Sequence, residues 1–250
     1  MGGNHRVRFA RHLASYDREA LAQKHIAASL AQKFSALAPH PLKRMFEAGC
    51  GTGFLTRNLP ETETLFVNDL LEEARHYQPQ RDGFEWMPGD AETLDFPCDL
   101  DAIVSASTVQ WFADLPRFLR RAARALNEGG WLALTHFGPQ NLHQIRALTG
   151  RGLRYPSLTE FRAMLECDYD ILILEEERFD QTFSTPMEIL RHLQHTGVTG
   201  LGDAPFRWTK QTLRDFEETY RRLYNRDENV ILTWHVHYAV CKKKSLHHRH

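Results

Sequence analysis

The residues best equipped for chemistry sit in one short stretch, Phe46-Glu47-Ala48-Gly49-Cys50-Gly51-Thr52-Gly53-Phe54-Leu55, where an apolar run passes through an acid into alternating glycines. Gly49, Gly51 and Gly53 let a backbone turn tightly and approach a ligand where any Cβ would collide. A helix opening behind them would offer free N–H groups to an anionic group. The spacing is G-x-G-x-G: the third glycine is spent at Gly53, whereas a dinucleotide fingerprint needs it three positions after Gly51. Glu47 would repel a pyrophosphate but suits the ammonium of an amino-acid-like ligand. The stretch therefore points to a nucleotide-like cofactor with an amino-acid end.

This pattern resembles the first motif of the Rossmann-like (class I) methyltransferases that use S-adenosyl-L-methionine (SAM). The resemblance implies an α/β fold with a mostly parallel seven-stranded sheet and helices on both faces. The elements around the motif agree, because from Leu42 to Leu134 strand-like apolar runs alternate with helical patterns. Strand one ends at Ala48, and a helix after Gly53 carries Leu55 and Leu59. Strand two covers Thr64 to Asp69, a short helix lies around Leu71 to Tyr77, and strands three and four cover Phe84 to Met87 and Asp101 to Ser105. Leu115, Phe118, Leu119, Ala122 and Leu126 share one face of a helix that Gly129-Gly130 stops before the strand Trp131 to Leu134. Further strands at Tyr169 to Leu174 and Asn229 to Val240 are separated by helical material around Pro186 to Thr196 and Lys210 to Asn225. The first forty residues read as one or two helices, with Leu21, Ala22, His25, Ile26, Ser29 and Leu30 at helical spacing.

In an open α/β sheet, ligands bind outside the carboxyl ends of the strands at the switch point, so residues ending strands one to four should converge. Asp69 ends strand two, where an ionised carboxylate has lone pairs for two ribose hydroxyls. It is equally placed as an N-cap before Leu70-Leu71-Glu72-Glu73, and both roles can coexist. The resemblance gives Asp90 the adenine amino group and the Ala91 N–H the ring, although Pro88-Gly89-Asp90 is also good turn chemistry. It further implies that Leu70 and Leu94 sandwich the adenine and that the Ser105 carbonyl holds the methionine ammonium. Apolar residues in such places are usually plain core.

The chain has 250 residues, 42% of them hydrophobic, enough for a single domain over residues 1–244, with helical cover from 1–40 and about 184–226 and a tail at 245–250. A net charge of −1 lacks the basic excess of a nucleic-acid binder. No apolar run approaches the roughly 20 residues that span a bilayer, and no signal-like segment follows Met1, so a cytoplasmic protein without membrane partners is expected. Cys50, Cys98, Cys167 and Cys241 form no C-x-x-C pair, which supports neither a disulfide framework nor a zinc site. His247, His248 and His250 follow Lys242-Lys243-Lys244 and are assigned no ligand role, so no metal is expected.

A second, wider resemblance extends over nearly the whole chain. Phe9, Tyr16 and Gln23, the Gly49 turn, Gly89-Asp90-Ala91-Glu92, Ser105 to Val109-Gln110-Trp111, and Leu190-Arg191-His192-Leu193 with Gly197 are together similar to the malonyl-acyl carrier protein O-methyltransferase family of biotin synthesis. Thr233-Trp234-His235 departs from the tyrosine-containing segment expected there. The resemblance implies methylation of the free carboxylate of a malonyl thioester, carried on acyl carrier protein or coenzyme A. A carboxylate is already ionised near pH 7 and needs no general base, so alignment in a dry pocket should supply the catalysis.

On that reading Arg191 selects the carboxylate with a bidentate fork, unless it is simply a solvated arginine. Tyr16 closes over the methyl group with His12 one turn earlier, unless it is a packing aromatic, and Gln110-Trp111 line the pocket floor. An acidic carrier protein would dock on a basic face. Candidates are Arg117, Arg120, Arg121 and Arg124, or, favoured here, Arg207, Lys210, Arg214, Arg221 and Arg222. The rival readings are a methyltransferase acting on another small carboxylate or a phenol, for which Arg191 is dispensable, and a non-catalytic SAM-binding protein. A nucleic-acid methyltransferase would need an aromatic tetrad such as N-P-P-Y, which is missing.

Overall fold

The computed structural model describes residues 20–39, 41–196 and 208–245. Phe9, His12, Tyr16, Gly197, Arg207, His247, His248 and His250 lie outside the described residues. The strands are β1 (Leu42–Ala48), β2 (Thr62–Asp69), β3 (Phe84–Pro88), β4 (Leu100–Ser105), β5 (Leu126–Phe137), β6 (Tyr169–Phe183), β7 (Asn225–Arg226) and β8 (Asn229–Lys243). The helices are α1 (Leu21–Ser35), α2 (Leu115–Ala125), α3 (His143–Thr149), α4 (Leu158–Glu166), α5 (Pro186–His195) and α6 (Lys210–Tyr224).

The sheet runs β3-β2-β1-β4-β5-β8-β6, and the two-residue β7 pairs with β8 off this path. The pairs β1–β2, β1–β4, β2–β3 and β4–β5 are parallel, and β5–β8 is antiparallel. The order reverses at β1, which lies between β2 and β4, so the switch point falls at the carboxyl end of β1 and brings the glycine turn to it. The last four residues of β1, Met45-Phe46-Glu47-Ala48, are all buried, as a parallel strand covered on both faces requires. One core gathers Phe46, Phe66, Ile103, Phe118, Leu132, Phe161 and Tyr169. The Tyr169 hydroxyl satisfies itself there by donating to the Leu119 carbonyl at 2.8 Å.

Helix α2 buries Leu115, Phe118, Leu119, Ala122 and Ala123. It begins where Asp114 accepts from the Arg117 N–H at 2.8 Å and Pro116 presets the first turn. Several local expectations are corrected. The segment after Gly53 is turn followed by only Thr56–Asn58 of 3-10 helix. Pro60 ends it, because the ring disfavours helical geometry at Leu59, which is extended at φ −73°, ψ 145°. The Leu71-to-Tyr77 element is likewise a 3-10 helix, over Glu72–Tyr77. Gly129-Gly130 does not stop α2: the helix ends at Ala125, and Leu126 already pairs with Leu100 in β5. The register then shifts, so that Ala102 pairs with Trp131, and the glycines fall in the resulting irregularity, with Gly129 at φ +68°. The strands at 169 and 229 extend beyond the expected ends, to Phe183 and Lys243. Helices α3 and α4 were not anticipated, although Ser157 and Glu160 form a capping box at the start of α4.

Among the described residues the chain divides into two compact units. The sheet unit contains residues 23–137, 156–176 and 236–245, and the second unit contains 20–22, 138–155, 177–196 and 208–235. All four cysteines are free, Cys50 and Cys241 buried and Cys98 and Cys167 exposed. No described helix is long and apolar enough to cross a membrane.

Candidate functional site

The glycine turn follows β1 with positive φ throughout: +69° at Gly49, +54° at Gly51 and +83° at Gly53. At Gly49 a side chain is excluded by the protein itself, since an added Cβ would lie 2.2 Å from Thr108 Cγ2. Thr108 Oγ1 donates to the Gly49 carbonyl at 3.0 Å and also lies 3.1 Å from the Ala106 carbonyl. Gln78 Nε2 donates to the Gly51 carbonyl at 2.9 Å, and Gln78 Oε1 accepts from Thr56 Oγ1 at 3.0 Å. Thr108 and Gln78 went unread in the sequence. They lie 59 and 27 residues from the glycines they hold, beyond the reach of local spacing.

Asp69, at the end of β2, is 7% exposed. Its Oδ2 accepts from the Gly51 N–H at 2.8 Å and its Oδ1 from the Leu71 N–H at 2.9 Å. A carboxylate has about four lone-pair sites, so these bonds fix the group and leave roughly two for further donors. Burial raises its pKa, opposed by the N–H bonds from Leu71, Gly51 and Leu70. The expected N-cap role is not formed, because the 3-10 helix that follows has Leu71 at its N-cap without a side-chain cap; Asp69 instead braces the turn through the Gly51 and Leu71 N–H groups.

Glu47 is 1% exposed, and its Oε2 has no hydrogen-bond partner. Its pKa is raised to about 7, chiefly by burial and further by the Asp69 charge, against the lowering effects of the Thr56 hydrogen bond and Arg81. A buried carboxylate oxygen without a partner is chemically suited to a cationic group.

The end of β3 is tied to the same place. Asn68 Nδ2 donates to the Met87 and Gly89 carbonyls at 2.8 and 2.9 Å, a role the sequence reading missed. The Cys50 N–H donates to the Asn68 carbonyl at 2.9 Å. Asp90 is exposed and makes the turn its sequence allows: Oδ1 accepts from the Glu92 N–H at 2.9 Å, and its carbonyl from the N–H groups of Thr93 and Leu94 at 2.9 and 2.7 Å. Ala91 is buried, Leu70 is exposed, and Leu94 packs against the core. Ser105 Oγ donates to the Ala48 carbonyl at 2.9 Å, tying β4 to β1 at the switch point. Gln110 Nε2 donates to the Ser107 carbonyl at 2.6 Å, while its Oε1 is buried without a partner. Trp111 is 38% exposed.

Glu47, Gly49, Gly51, Gly53, Asp69, Leu70, Asp90, Ala91, Ser105 and Gln110 therefore all belong to the sheet unit. Gln23, in the same unit, is buried with neither end of its amide partnered. Arg191 belongs to the second unit and is exposed on α5. Of the basic candidates, Arg121 is committed within the fold: it donates to the carbonyls of Glu92, Thr93 and Leu94 and stacks over Phe96, 5.2 Å from the ring centroid. Arg117, Arg120, Arg124, Lys210, Arg214, Arg221 and Arg222 are exposed. Thr233-Trp234-His235, the segment that departs from the family pattern, is structural. Thr233 Oγ1 accepts from Gln144 Nε2 at 2.6 Å and donates to Asp180 Oδ1 at 2.7 Å, and Trp234 Nε1 donates to Gln181 Oε1 at 3.1 Å.

Comparison with known proteins agrees with this geometry. Residues 46–134 match the Methyltransferase domain family. A malonyl-[acyl-carrier protein] O-methyltransferase of Acinetobacter baylyi is 37% identical over 95% of this chain and 95% of its own length. One from Prosthecochloris aestuarii is 41% identical over 95% and 92%. Among solved structures, a Bacillus halodurans protein superposes with a TM-score of 0.63 at 16% identity, over 86% of this chain and 99% of its own. The N-methyltransferase NodS of Bradyrhizobium japonicum, solved with S-adenosyl-L-homocysteine, does so with 0.53 at 15%, over 97% and 100%. These two similarities establish the fold. With the glycine turn, Glu47 and Asp69 assembled at the switch point and relatives of this identity matched over nearly their whole length, the chain belongs to the malonyl-[acyl-carrier protein] O-methyltransferase family.

Proposed function

We propose that this protein is a SAM-dependent O-methyltransferase that converts the free carboxylate of a malonyl thioester, carried on acyl carrier protein, to its methyl ester early in biotin biosynthesis, working in the cytoplasm as a single methyltransferase domain. The observation that carries the cofactor is the pair of buried acids at the glycine turn. Glu47 presents a buried oxygen without a partner for the ligand's ammonium, and Asp69 keeps lone pairs for ribose hydroxyls. The acceptor is carried by the names of the matched relatives.

When bound, SAM supplies an electrophilic methyl group on a sulfonium: the new O–CH3 bond forms as the S–CH3 bond breaks, and the electron pair stays on sulfur. The chain's own residues then have three tasks. Asp69, Asp90 and the Ala91 N–H orient the cofactor, with Leu70 against the adenine and the Ser105 carbonyl beside the ammonium. Gln110 and Arg191 orient the acceptor, with Tyr16 and His12 closing over it. No side chain has to move a proton, because a carboxylate enters and a neutral ester leaves. Orientation alone can supply several kcal/mol of the barrier.

The test is to incubate the full chain with SAM and either malonyl-acyl carrier protein or malonyl-coenzyme A, and to look by mass spectrometry for one added methyl on the acyl group. The expected result is methylation that favours the carrier-protein substrate and falls about tenfold or more in kcat/KM in Arg191→Ala. Absence of transfer to either thioester, with SAM still bound, would replace this reading by another acceptor or by a non-catalytic role.

A further inference from the structure

Helix α2 carries four arginines, Arg117, Arg120, Arg121 and Arg124, and no acid. Leu115, Phe118, Leu119, Ala122 and Ala123 form its buried face. At 3.6 residues per turn, Arg117, Arg120 and Arg124 fall within about 60° of one another on the opposite side. All three are exposed, and among the described residues their guanidiniums make no hydrogen bond, ion pair or ring contact. Arg121 differs, being turned back onto the carbonyls of Glu92, Thr93 and Leu94.

The helix gains little from this arrangement. Arg120 and Arg124 are four residues apart, a like-charge spacing that destabilises a helix, and Arg117 stands in the first turn, at the positive end of the dipole. Only Arg124, in the last turn, meets a favourable field. A stripe of cations kept against helix electrostatics, with no partner inside the fold, fits an acidic surface on another molecule.

Helix α6 shows what a solvated charged helix looks like by contrast. There Lys210, Arg214, Arg221 and Arg222 are interspersed with Asp215, Glu217 and Glu218, and Arg221 donates to the Ser184 carbonyl at 3.3 Å. The net charge of −1 makes the excess on α2 a local feature. Its stripe runs about 10 Å from Arg117 to Arg124, the scale of one acidic helix on a protein and not of a long phosphate track.

Helix α2 is also tied to the cofactor end of its own unit. It follows the 3-10 turn Val109–Trp111, which carries Gln110. The Asp114 N–H donates to Glu92 Oε1 at 2.5 Å, and Arg121 holds the neighbouring carbonyls, so both ends of this link reach the loop of Asp90 and Ala91.

We propose that the Arg117–Arg120–Arg124 face of α2 is the docking surface for the carrier protein that delivers the malonyl thioester, held through an acidic patch on that protein. This rests on the malonyl-thioester reading, and it moves the docking face from the 207–222 cations favoured by the sequence to α2.

The experiment measures kcat and KM of the full chain for malonyl-acyl carrier protein and for malonyl-pantetheine, which keeps the thioester and lacks the protein. The variants are Arg120→Glu/Arg124→Glu, the neutral Arg120→Gln/Arg124→Gln, and Lys210→Glu/Arg214→Glu on α6, with S-adenosylhomocysteine binding as the control for folding. KM for the carrier substrate should rise roughly ten- to a hundredfold in the charge-reversed α2 variant and less in the neutral one, with kcat held. KM for malonyl-pantetheine should stay at the wild-type value, the α6 variant should behave as wild type, and added salt should weaken the wild type more than the neutral variant. An equal rise for malonyl-pantetheine, a wild-type KM for the carrier substrate in the α2 variants, or a rise confined to the α6 variant would overturn the surface while leaving the methyltransferase reading intact. If no malonyl thioester is methylated, that reading fails, and calorimetric titration with unacylated carrier protein decides the surface alone: binding weakened by Arg120→Glu/Arg124→Glu upholds it, and unchanged or absent binding overturns it.

Discussion

The turn after β1 and the Gly138–Tyr155 segment sort charge in opposite ways. The turn presents acceptors: Glu47 with a buried oxygen lacking a partner, and Asp69 with lone pairs left after binding two backbone N–H groups. The segment carries the Asn141 amide, the guanidiniums of Arg146, Arg151 and Arg154 and the Tyr155 phenol, with no acid among its residues. A cofactor that carries an ammonium, a sulfonium and two ribose hydroxyls matches the first in charge. Backbone N–H groups fix the acids, while a backbone carbonyl anchors Arg146.

The sharpest way to break this contrast is Gly49→Ala. The new Cβ would require φ +69° and would meet Thr108 Cγ2 at 2.2 Å, so a loss of about 3 kcal/mol or more is expected in denaturant unfolding. Trimming the obstacle with Thr108→Ala should recover part of it. Second is Asp69→Ala, which removes the carboxylate proposed to hold the ribose and unpairs the Gly51 and Leu71 N–H groups. S-adenosylhomocysteine affinity should fall about a hundredfold by calorimetry. Unchanged affinity in a variant that still folds would leave Asp69 as a brace of the turn alone.

The smallest effect on cofactor affinity is a pH dependence. Folding raises the Glu47 pKa from 4.5 to about 7, so between these values the unfolded chain has released a proton that the folded chain keeps. Stability therefore falls as pH rises through this window, by at most about 3 kcal/mol. A bound ammonium favours the ionised form, so affinity for S-adenosylhomocysteine should rise about tenfold from pH 6 to 7.5 and then level off. Glu47→Gln should flatten both profiles. An unchanged slope in that variant would place the titrating group elsewhere.

Much of the cofactor end was legible because its signals are local. Three glycines in five residues, an acid before them and an acid at the end of the next strand need no tertiary information to be found. The long parallel core was legible too, through the apolar runs of β1, β2, β4 and β5. The helix expected after Gly53 was not there, because the six residues before Pro60 are too few to build one against the extended geometry imposed at Leu59. The hydrogen-bonded cluster around Asn141 was invisible for a different reason. Asn141, Arg146, Arg151 and Tyr155 are ordinary polar residues in a loop-rich stretch, and what distinguishes them is the His235 N–H that orients the Asn141 amide from 94 positions away.

By itself, then, the sequence determined the α/β order, the glycine turn and the two acids beside it, since each depends on neighbours within a few residues or on strand periodicity. Only the tertiary structure decided that Thr108 is what forbids a side chain at Gly49, that Gln78 and Asn68 brace the turn and β3, and that Thr233-Trp234-His235 works as an anchor. The physical reason is that a hydrogen bond or a van der Waals collision depends on distance in space. At separations of 27 to 94 residues the spacing of residue types along the chain says nothing about that distance.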